Sequence, residues 1–307
     1  MLGAENNRKG KRNMIKTGVL GLRDPFVVVT DGAYYLYGTG ISSGWDDTVY
    51  ACYKNEGSLD GEWVLCEELV YERPRLARKN LWAPEVHYYK GNYYMLATYY
   101  SDVTGHRGCT VLRAPSPEGK FVEISDGQIT PKDWDAIDAT LYIDREGSPW
   151  MIFVHEWTCT EDKIGRMAAA RLSEDLSHFI SEPVELFRAD SPSWTKSGCT
   201  DGCFMYETKS GELLMLWSNF VKGDYCVGIA RSKNGKPDGE WIHDDELLFS
   251  KEISPDGLDG GHGMIFKDRD GRLYLSIHSP NKRSEDQLEQ TVFIEIAERD
   301  GRLVCLP

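Results

Sequence analysis

The chain is patterned as short runs of apolar and aromatic residues, about four to eight residues long, and these runs come in pairs joined by a turn that contains glycine. The central pair enters through the polar residue Asp138, turns at Gly147 and continues into residues 150–157. Four further pairs have the same form, with turn glycines at positions 32, 91, 211 and 271. The pattern predicts five β-hairpins, each entered through a polar or charged residue.

The five turn glycines are separated by 59, 56, 64 and 60 residues. A period near sixty leaves room for four strands and their loops in each repeat. A third strand candidate follows every hairpin, at residues 48–53, 110–113, 167–172, 227–231 and 292–297, and a fourth follows in most repeats, as at residues 63–66 and 241–250.

No long segment has the 3.6-residue period of an amphipathic helix. Regular β-modules without helices favour a closed ring of sheets, because closure leaves few exposed strand edges. We therefore predict an all-β fold: a five-bladed β-propeller with four antiparallel strands per blade. No Pro/Ser-rich linker divides the chain, so residues 17–307 should form a single propeller domain.

Residues 1–16 are basic and polar, and we expect a flexible leader there. They lack the apolar core of a secretory signal, and the chain has no apolar run of about 18 residues, so we expect a cytoplasmic protein. The eight cysteines form no CxxC pair and mostly lie in strand-like runs, which favours buried free thiols.

The net charge of −14 disfavours nucleic acid and anionic membranes as partners, whereas a neutral ligand is compatible with it. The oligomeric state cannot be deduced from the sequence.

Two sets of polar residues should surround one mouth of the propeller channel, because the first strand of a blade starts where its antiparallel second strand ends. The first set is Asp24, Glu85, Asp138, Asp201 and His262, and the second set is Tyr100, Ser101, His155, Glu156, Trp157, Ser218, Asn219, His278 and Ser279. Carboxylates that converge in a partly desolvated funnel raise one another's pKa values, as acid/base catalysis requires.

Four short motifs lie in order along the chain: Arg23-Asp24-Pro25, Trp82-Ala83-Pro84-Glu85-Val86, Ile137-Asp138-Ala139 and Gly261-His262-Gly263. Together they resemble glycoside hydrolase family 43, the five-bladed propeller glycosidases, from Asp24 to about His278. The resemblance implies an inverting glycosidase that acts on arabinose-, xylose- or galactose-containing glycans. It also implies that Asp24 is the general base and that Asp138 orients the acid and tunes its pKa.

The general acid is where the chain departs from the family pattern. The family usually carries Glu-Gly-Pro in blade four, and this chain has Asp201-Gly202-Cys203. Asp201 is favoured slightly as an acid on a shorter arm, Glu156 at the end of the central hairpin is the alternative, and loss of catalysis is the third possibility.

Several residues are expected to bind the sugar. Glu85, His262, His278 and Asn219 are candidate partners for hydroxyl groups, and Trp82, Trp157 and Trp45 are candidate stacking surfaces. No cofactor is required; the resemblance allows a calcium ion near His262, although calcium prefers oxygen ligands.

The leading hypothesis is an α-L-arabinofuranosidase with exo or debranching action, with β-D-xylosides and β-D-galactofuranosides as open alternatives. A non-catalytic carbohydrate-binding propeller is the main competitor, since the usual acid is missing. A protein-interaction propeller is disfavoured by the converging carboxylates.

Overall fold

The structure is a computed structural model, which describes residues 14–41, 44–66, 70–281 and 288–306. Within these ranges every regular element is a β-strand. None of the elements described is a helix long and apolar enough to span a membrane.

The strands form five antiparallel sheets, one per blade. The chain begins with β1 (Met14–Leu20), which belongs to the last blade. Blade one contains β2 (Leu22–Val29), β3 (Tyr34–Ile41), β4 (Thr48–Asn55) and β5 (Val64–Leu65). Blade two contains β6 (Lys79–Tyr89), β7 (Asn92–Ser101), β8 (His106–Ala114) and β9 (Val122–Glu123).

The remaining blades follow the same order. Blade three contains β10 (Ala136–Ile143), β11 (Pro149–His155), β12 (Arg166–Arg171) and β13 (Val184–Arg188). Blade four contains β14 (Asp201–Glu207), β15 (Leu213–Val221), β16 (Asp224–Ser232) and β17 (Trp241–His243). Blade five contains β18 (Gly261–Lys267), β19 (Leu273–Ser279), β20 (Gln290–Arg299) and β21 (Arg302–Cys305).

The innermost strands of consecutive blades contact one another, and β18 of the last blade contacts β2 of the first. This closed ring confirms the predicted five-bladed propeller. Apolar side chains between adjacent blades form the core; Leu36 and Met95, for example, are fully buried in one cluster. Burial of each such side chain contributes about 1.5–3 kcal/mol.

Both ends of the described chain complete blade five. Strand β1 pairs with β20 at residues 290–294, and β21 pairs with the other half of β20 at residues 296–299. The outer edge of β20 is therefore covered by two segments from opposite ends of the chain. Strand β1 begins at Met14, three residues before the predicted start of the propeller at position 17; residues 1–13 of the expected leader lie outside the described residues.

The innermost strand of every blade contains a β-bulge at the same place. In each, two consecutive residues lie opposite a single residue of the second strand, and the first of the two has a positive φ. These bulge residues are Asp24 (φ 54°), Ala83 (φ 45°), Asp138 (φ 56°), Gly202 (φ 51°) and His262 (φ 53°). The left-handed backbone tips each of them out of the regular alternation of the strand.

The bulge residues are held by hydrogen bonds between blades. The backbone N–H of Ala83 donates to Thr39 Oγ1 (2.8 Å), that of Asp138 to Thr98 Oγ1 (3.0 Å) and that of His262 to Ser218 Oγ (2.8 Å). In blade one, the N–H of Asp24 donates to His278 Nδ1 (3.3 Å). Each acceptor comes from the second strand of the preceding blade.

Blade four is the exception to this ring. In blade three the residue equivalent to Thr39 is Val154, whose side chain has no hydrogen-bond acceptor. The N–H of Gly202 therefore donates to Asp138 Oδ2 instead (3.0 Å). The Asp138 carboxylate therefore supports the backbone next to Asp201.

Candidate active site

The bulges bring Asp24, Asp138 and His262 together at the axis of the propeller. His262 Nδ1 lies 3.1 Å from Asp24 Oδ1 and 3.7 Å from Asp138 Oδ2. All three side chains are nearly buried, with exposed fractions of 7–11%. Asp201 immediately precedes the blade-four bulge residue Gly202, one position earlier than Asp24 and Asp138 in their strands.

Gly202 is required at this place because a side chain there would collide with the histidine. A Cβ on Gly202 would lie 2.7 Å from His262 ring atoms, and its backbone already has a positive φ. In blade five, a Cβ on Gly261 would lie 2.5 Å from the Tyr225 ring. Gly202 therefore lets the His262 imidazole approach the backbone of β14, and Gly261 lets the Tyr225 ring approach the backbone of β18.

Asp24 is held in the ionised form. Burial alone would raise the pKa of its carboxyl group, but the charge and hydrogen bond of His262, together with the charge of Arg23, lower that pKa below its usual value. Asp24 Oδ2 also accepts a hydrogen bond from Thr39 Oγ1 at 2.6 Å. Arg23 in turn pairs with the buried Glu289 and donates to Asn281 Oδ1 at 2.9 Å.

His262 is the cation of the cluster. Burial by itself would lower the pKa of the imidazole, but Asp24 and Asp138 outweigh burial and raise that pKa to about 10. The side chain is therefore an imidazolium at neutral pH and offsets part of the negative charge around it.

Asp138 and Asp201 have raised pKa values, in contrast to Asp24. Burial is the main cause for Asp138, and the charges of Asp201 and Asp24 add to it, so that its pKa rises to about 7 although His262 opposes the shift. Burial also raises the pKa of Asp201. The pair consequently retains a proton at a pH at which Asp24 has lost its own.

Asp201 receives its hydrogen bonds from uncharged groups. The Tyr225 hydroxyl donates to Asp201 Oδ2 at 3.1 Å, and the Cys199 thiol donates to the same oxygen at 3.4 Å. Tyr225 is buried and its ring stacks on His278 with centroids 5.5 Å apart.

Glu156, the alternative acid, is bound to a guanidinium group. Arg107 Nε donates to Glu156 Oε2 at 2.7 Å, and Arg107 also donates to Thr158 Oγ1 at 3.1 Å. Burial raises the pKa of Glu156, while the charge of Arg107 and its hydrogen bond oppose that shift. Protonation of Glu156 would therefore disrupt a largely buried charge pair.

Two of the predicted stacking residues form one aromatic cluster. The rings of Trp45 and Trp82 meet edge to face with centroids 6.1 Å apart, and Trp82 Nε1 donates to the Trp45 carbonyl at 3.0 Å. Arg107 lies over the Trp82 ring at 5.5 Å and Arg23 over the Trp45 ring at 4.8 Å. Trp45 is 54% exposed and Trp82 is half-buried, so the cluster offers an aromatic surface beside Arg23 and Arg107. Trp157 is half-buried after the end of β11.

Three predicted sugar ligands are engaged with the protein itself. Glu85 lies two residues after its blade's bulge residue, is 5% exposed and hydrogen-bonds His87 Nε2 at 3.0 Å. Asn219 is buried, donates to the Ala189 carbonyl and accepts from the Phe220 N–H. His278 is fully buried and contacts both the Asp24 N–H and Asn281 Oδ1. Asn219 and His278 therefore support the backbone, and His278 holds the N–H of Asp24.

The surroundings of His262 do not fit a calcium ion. Its Nδ1 is already paired with Asp24 Oδ1 at 3.1 Å, and calcium prefers oxygen ligands to an imidazole nitrogen. Within the described ranges, no three His, Cys, Asp or Glu side chains are grouped so that they could hold a metal. The eight cysteines are free thiols, as predicted, but only Cys52, Cys109, Cys203 and Cys226 are buried.

Comparison with known proteins identifies the family. The model of glycosyl hydrolases family 43 matches residues 13–301. The chain belongs to this family. It is a glycosidase, as the four motifs predicted.

The family 43 relatives cover most of the chain. An endo-arabinase from Bacteroides thetaiotaomicron VPI-5482 is 36% identical, with a TM-score of 0.79 over 94% of this chain and 98% of that one. The probable arabinan endo-1,5-alpha-L-arabinosidase C of Aspergillus niger is 25% identical over 71% of this chain and 69% of its own length. The alpha-L-arabinofuranosidase 43 of Humicola insolens is 21% identical over 84% of this chain and 54% of its own length.

The sequence prediction missed the supporting residues Thr39, Thr98, Arg107, Cys199 and Tyr225. A signal for two of them was present, because Thr39, Thr98, Val154, Ser218 and His278 each lie seven residues after a turn glycine. This constant spacing places them at equivalent positions in the five second strands. Tyr225 and Cys199 have no comparable repeat.

Proposed function

We propose that this family 43 glycosidase hydrolyses α-L-arabinofuranosidic bonds with inversion, with Asp24 as general base and Asp201 as general acid. The observation that supports this assignment is the opposite direction of the two pKa shifts within one cluster. Asp24 is held ionised by His262, whereas Asp201 is biased toward the protonated form by burial. An inverting glycosidase needs one carboxyl group in each state.

The proposed reaction consumes one water molecule. Asp24 takes a proton from the water as its oxygen attacks the anomeric carbon, and Asp201 gives its proton to the leaving oxygen as the glycosidic bond breaks. Asp24 ends protonated and Asp201 ionised, and exchange of a proton with solvent restores both. Asp138 keeps the acid in place through the Gly202 N–H, and burial keeps the pKa of Asp201 raised.

Asp201 is preferred to Glu156 because of their different partners. Glu156 is paired with Arg107, and a proton transferred to or from it would unbalance that pair. Among the described residues, the hydrogen-bond donors to Asp201 are neutral, and Asp201 lies near Asp24 and Asp138. The Glu156–Arg107 pair instead extends to the Trp82 ring, so we assign Glu156 to shaping the aromatic surface.

The choice of an arabinofuranoside rests on the relatives. One match at 36% identity is to a protein described as an endo-arabinase, and two further relatives carry arabinosidase or arabinofuranosidase names. The Trp45–Trp82 surface suits the apolar face of a sugar. The net charge of −14 is compatible with a sugar that is neutral. Exo or debranching action remains our expectation, and endo action is the alternative.

A substrate panel tests the proposal. Chromogenic α-L-arabinofuranoside, β-D-xyloside and β-D-galactofuranoside are compared with linear and branched arabinan, and we expect the arabinofuranosidic substrates to be hydrolysed fastest. Asp24→Asn should lower kcat by about 10³-fold or more on every active substrate, because the water loses its base. The matched control is Asp126→Asn, at an exposed residue that pairs with Arg75, and it should keep full activity.

The products distinguish the modes of action. Release of arabinose alone from arabinan indicates exo or debranching action, whereas a ladder of oligosaccharides indicates endo action. If no substrate is turned over faster than by Asp24→Asn while sugar still binds, the catalytic proposal fails and the carbohydrate-binding alternative stands.

A further inference from the structure

The general acid proposed above has an asymmetric set of hydrogen bonds. The hydroxyl of Tyr225 and the thiol of Cys199 both donate to Oδ2 of Asp201. Within the described ranges, Oδ1 of Asp201 accepts no hydrogen bond from the protein. The two oxygens of this carboxyl group therefore differ in their surroundings.

Both donors keep their protons over the whole physiological range. Burial raises the pKa of Tyr225 well above its usual value, and burial also raises the pKa of Cys199 well above its own. Oδ2 of Asp201 already accepts two hydrogen bonds. It is therefore a poor site for the acid's own proton, because an O–H group formed there would face the two donors. The proton on the neutral acid is consequently directed to Oδ1.

Tyr225 is itself fixed by the base side of the site. Its ring stacks on His278 with an interplanar angle of 24°, and His278 Nδ1 accepts the backbone N–H of Asp24. Gly261 leaves the space that the Tyr225 ring occupies. Tyr225 thus contacts Asp201 through its hydroxyl and His278 through its ring. His278 in turn holds the backbone of Asp24, the proposed base.

We propose that Tyr225 is a positioning residue for the general acid: together with Cys199 it binds Oδ2 of Asp201, so that the transferable proton is carried on Oδ1 and aimed at the leaving oxygen. This proposal rests on the assignment of Asp201 as the acid. It gives a reason why an aspartate serves in a place where the family usually has the longer glutamate. A shorter arm reaches less far and gains more from a fixed orientation.

Other charged groups also act on Asp201 and must be considered in any pH experiment. They are His262 from β18, Asp24 from β2, Asp138 from β10 and Glu156 at the end of β11. None of them is changed by removal of the Tyr225 hydroxyl, so a difference between the wild type and Tyr225→Phe isolates that hydrogen bond.

The test is the pH dependence of Tyr225→Phe on two arabinofuranosides, one with a nitrophenol leaving group and one with an unactivated sugar or alkyl leaving group. The phenylalanine keeps the ring on His278. We expect kcat to fall on the order of tenfold for the poor leaving group and much less for nitrophenol, because only the former needs a well-aimed proton. The alkaline limb of kcat/KM should move upward by about one pH unit, because the ionised Asp201 loses a donor.

Matched variants separate this role from a purely structural one. Tyr206→Phe also removes a tyrosine hydroxyl bonded to a carboxylate, that of Glu298, and should leave the pH profile unchanged. Cys199→Ala should move the alkaline limb in the same direction as Tyr225→Phe but less, and Cys199→Ser, which keeps a donor, should restore the wild-type profile. If Tyr225→Phe lowers the rate equally on both substrates at an unchanged pH profile, the proposal is wrong.

A double variant keeps this result distinct from the acid assignment. In an Asp201→Asn background, Tyr225→Phe should cause no further loss, since there is no proton left to position. A further loss of the same size would show that Tyr225 acts through another group and would overturn the proposal. If instead Asp201→Asn alone keeps the wild-type rate on the poor leaving group, the assignment of the acid has failed, whatever Tyr225 does.

Discussion

At the scale of single residues, the charges within the site set the ionisation state of each carboxyl group. Three aspartates surround one imidazolium, and His262 lies closer to Asp24 than to Asp138. Asp24 has the direct contact at 3.1 Å and a lowered pKa, while Asp138, at 3.7 Å, has a raised one. A single histidine thereby separates the base from the groups that retain a proton.

Replacement of His262 by glutamine should move the acidic limb of the pH–rate profile. The base works only when ionised, and the cation is what offsets the effect of burial on Asp24. Without the cation the pKa of Asp24 rises, so activity is lost at a higher pH as the solution is acidified. The measurement is kcat/KM between about pH 3 and 7, where Asp normally titrates near the lower end.

The matched control for this variant is His178→Gln, at an exposed histidine whose Nδ1 hydrogen-bonds the neighbouring Ser177 hydroxyl. It should leave the profile in place. An acidic limb that stays where it is in His262→Gln, with the variant folded, would contradict the assignment of Asp24 as a base controlled by His262.

At the scale of elements, the five bulges are what turn strand residues toward the axis. The alternation of apolar and polar residues sufficed to predict the hairpins, because side-chain burial follows the strand period directly. The bulges were not predicted, since they depend on the register between two strands. For this reason the sequence pattern places Glu85 and Asp201 at the same strand position as Asp24. In the structure, Glu85 lies two residues after the bulge residue of its strand, and Asp201 lies one residue before the bulge residue of its own.

The hydrogen bonds between blades allow a paired test of the bulges. Thr39 and Thr98 each accept a bulge N–H, from Ala83 and Asp138, but only Thr39 also donates to the carboxylate of Asp24. Substitution by valine keeps the shape and leaves one buried N–H unsatisfied in each case. Both variants should lose about 1–3 kcal/mol of unfolding free energy in chemical denaturation.

The activities of the two valine variants should differ. Thr39→Val should also move the acidic limb of the pH–rate profile upward, because the ionised Asp24 loses a donor, and Thr98→Val should not. If neither variant is destabilised, these bonds do not hold the bulges in place; if both move the acidic limb equally, the contact from Thr39 to Asp24 has no special role.

At the scale of the whole molecule, the sixty-residue repeat predicted the ring, its single domain and the mouth at which the functional residues meet. The strand pairing that completes blade five could not be predicted, because β1 pairs with β20 and so joins residues almost a chain length apart, such as Met14 and Ile294. The four motifs located Asp24, Asp138 and His262, which the structure brings into contact. They could not rank Asp201 against Glu156, since that choice depends on contacts with Arg107 and Tyr225, which come from other segments of the chain, and on the neighbouring Cys199.

The identity of the acid is therefore the central claim, and the dependence of the rate on the leaving group tests it most directly. Asp201→Asn and Glu156→Gln are compared on an arabinofuranoside with a nitrophenol leaving group and on an arabino-oligosaccharide. We predict that Asp201→Asn loses on the order of 10²–10⁴-fold on the oligosaccharide and far less on the nitrophenyl substrate, which needs little protonation. Glu156→Gln should lose less activity than Asp201→Asn does on the oligosaccharide, and by a similar factor on both substrates. The reverse pattern, with the selective loss in Glu156→Gln, would contradict the account.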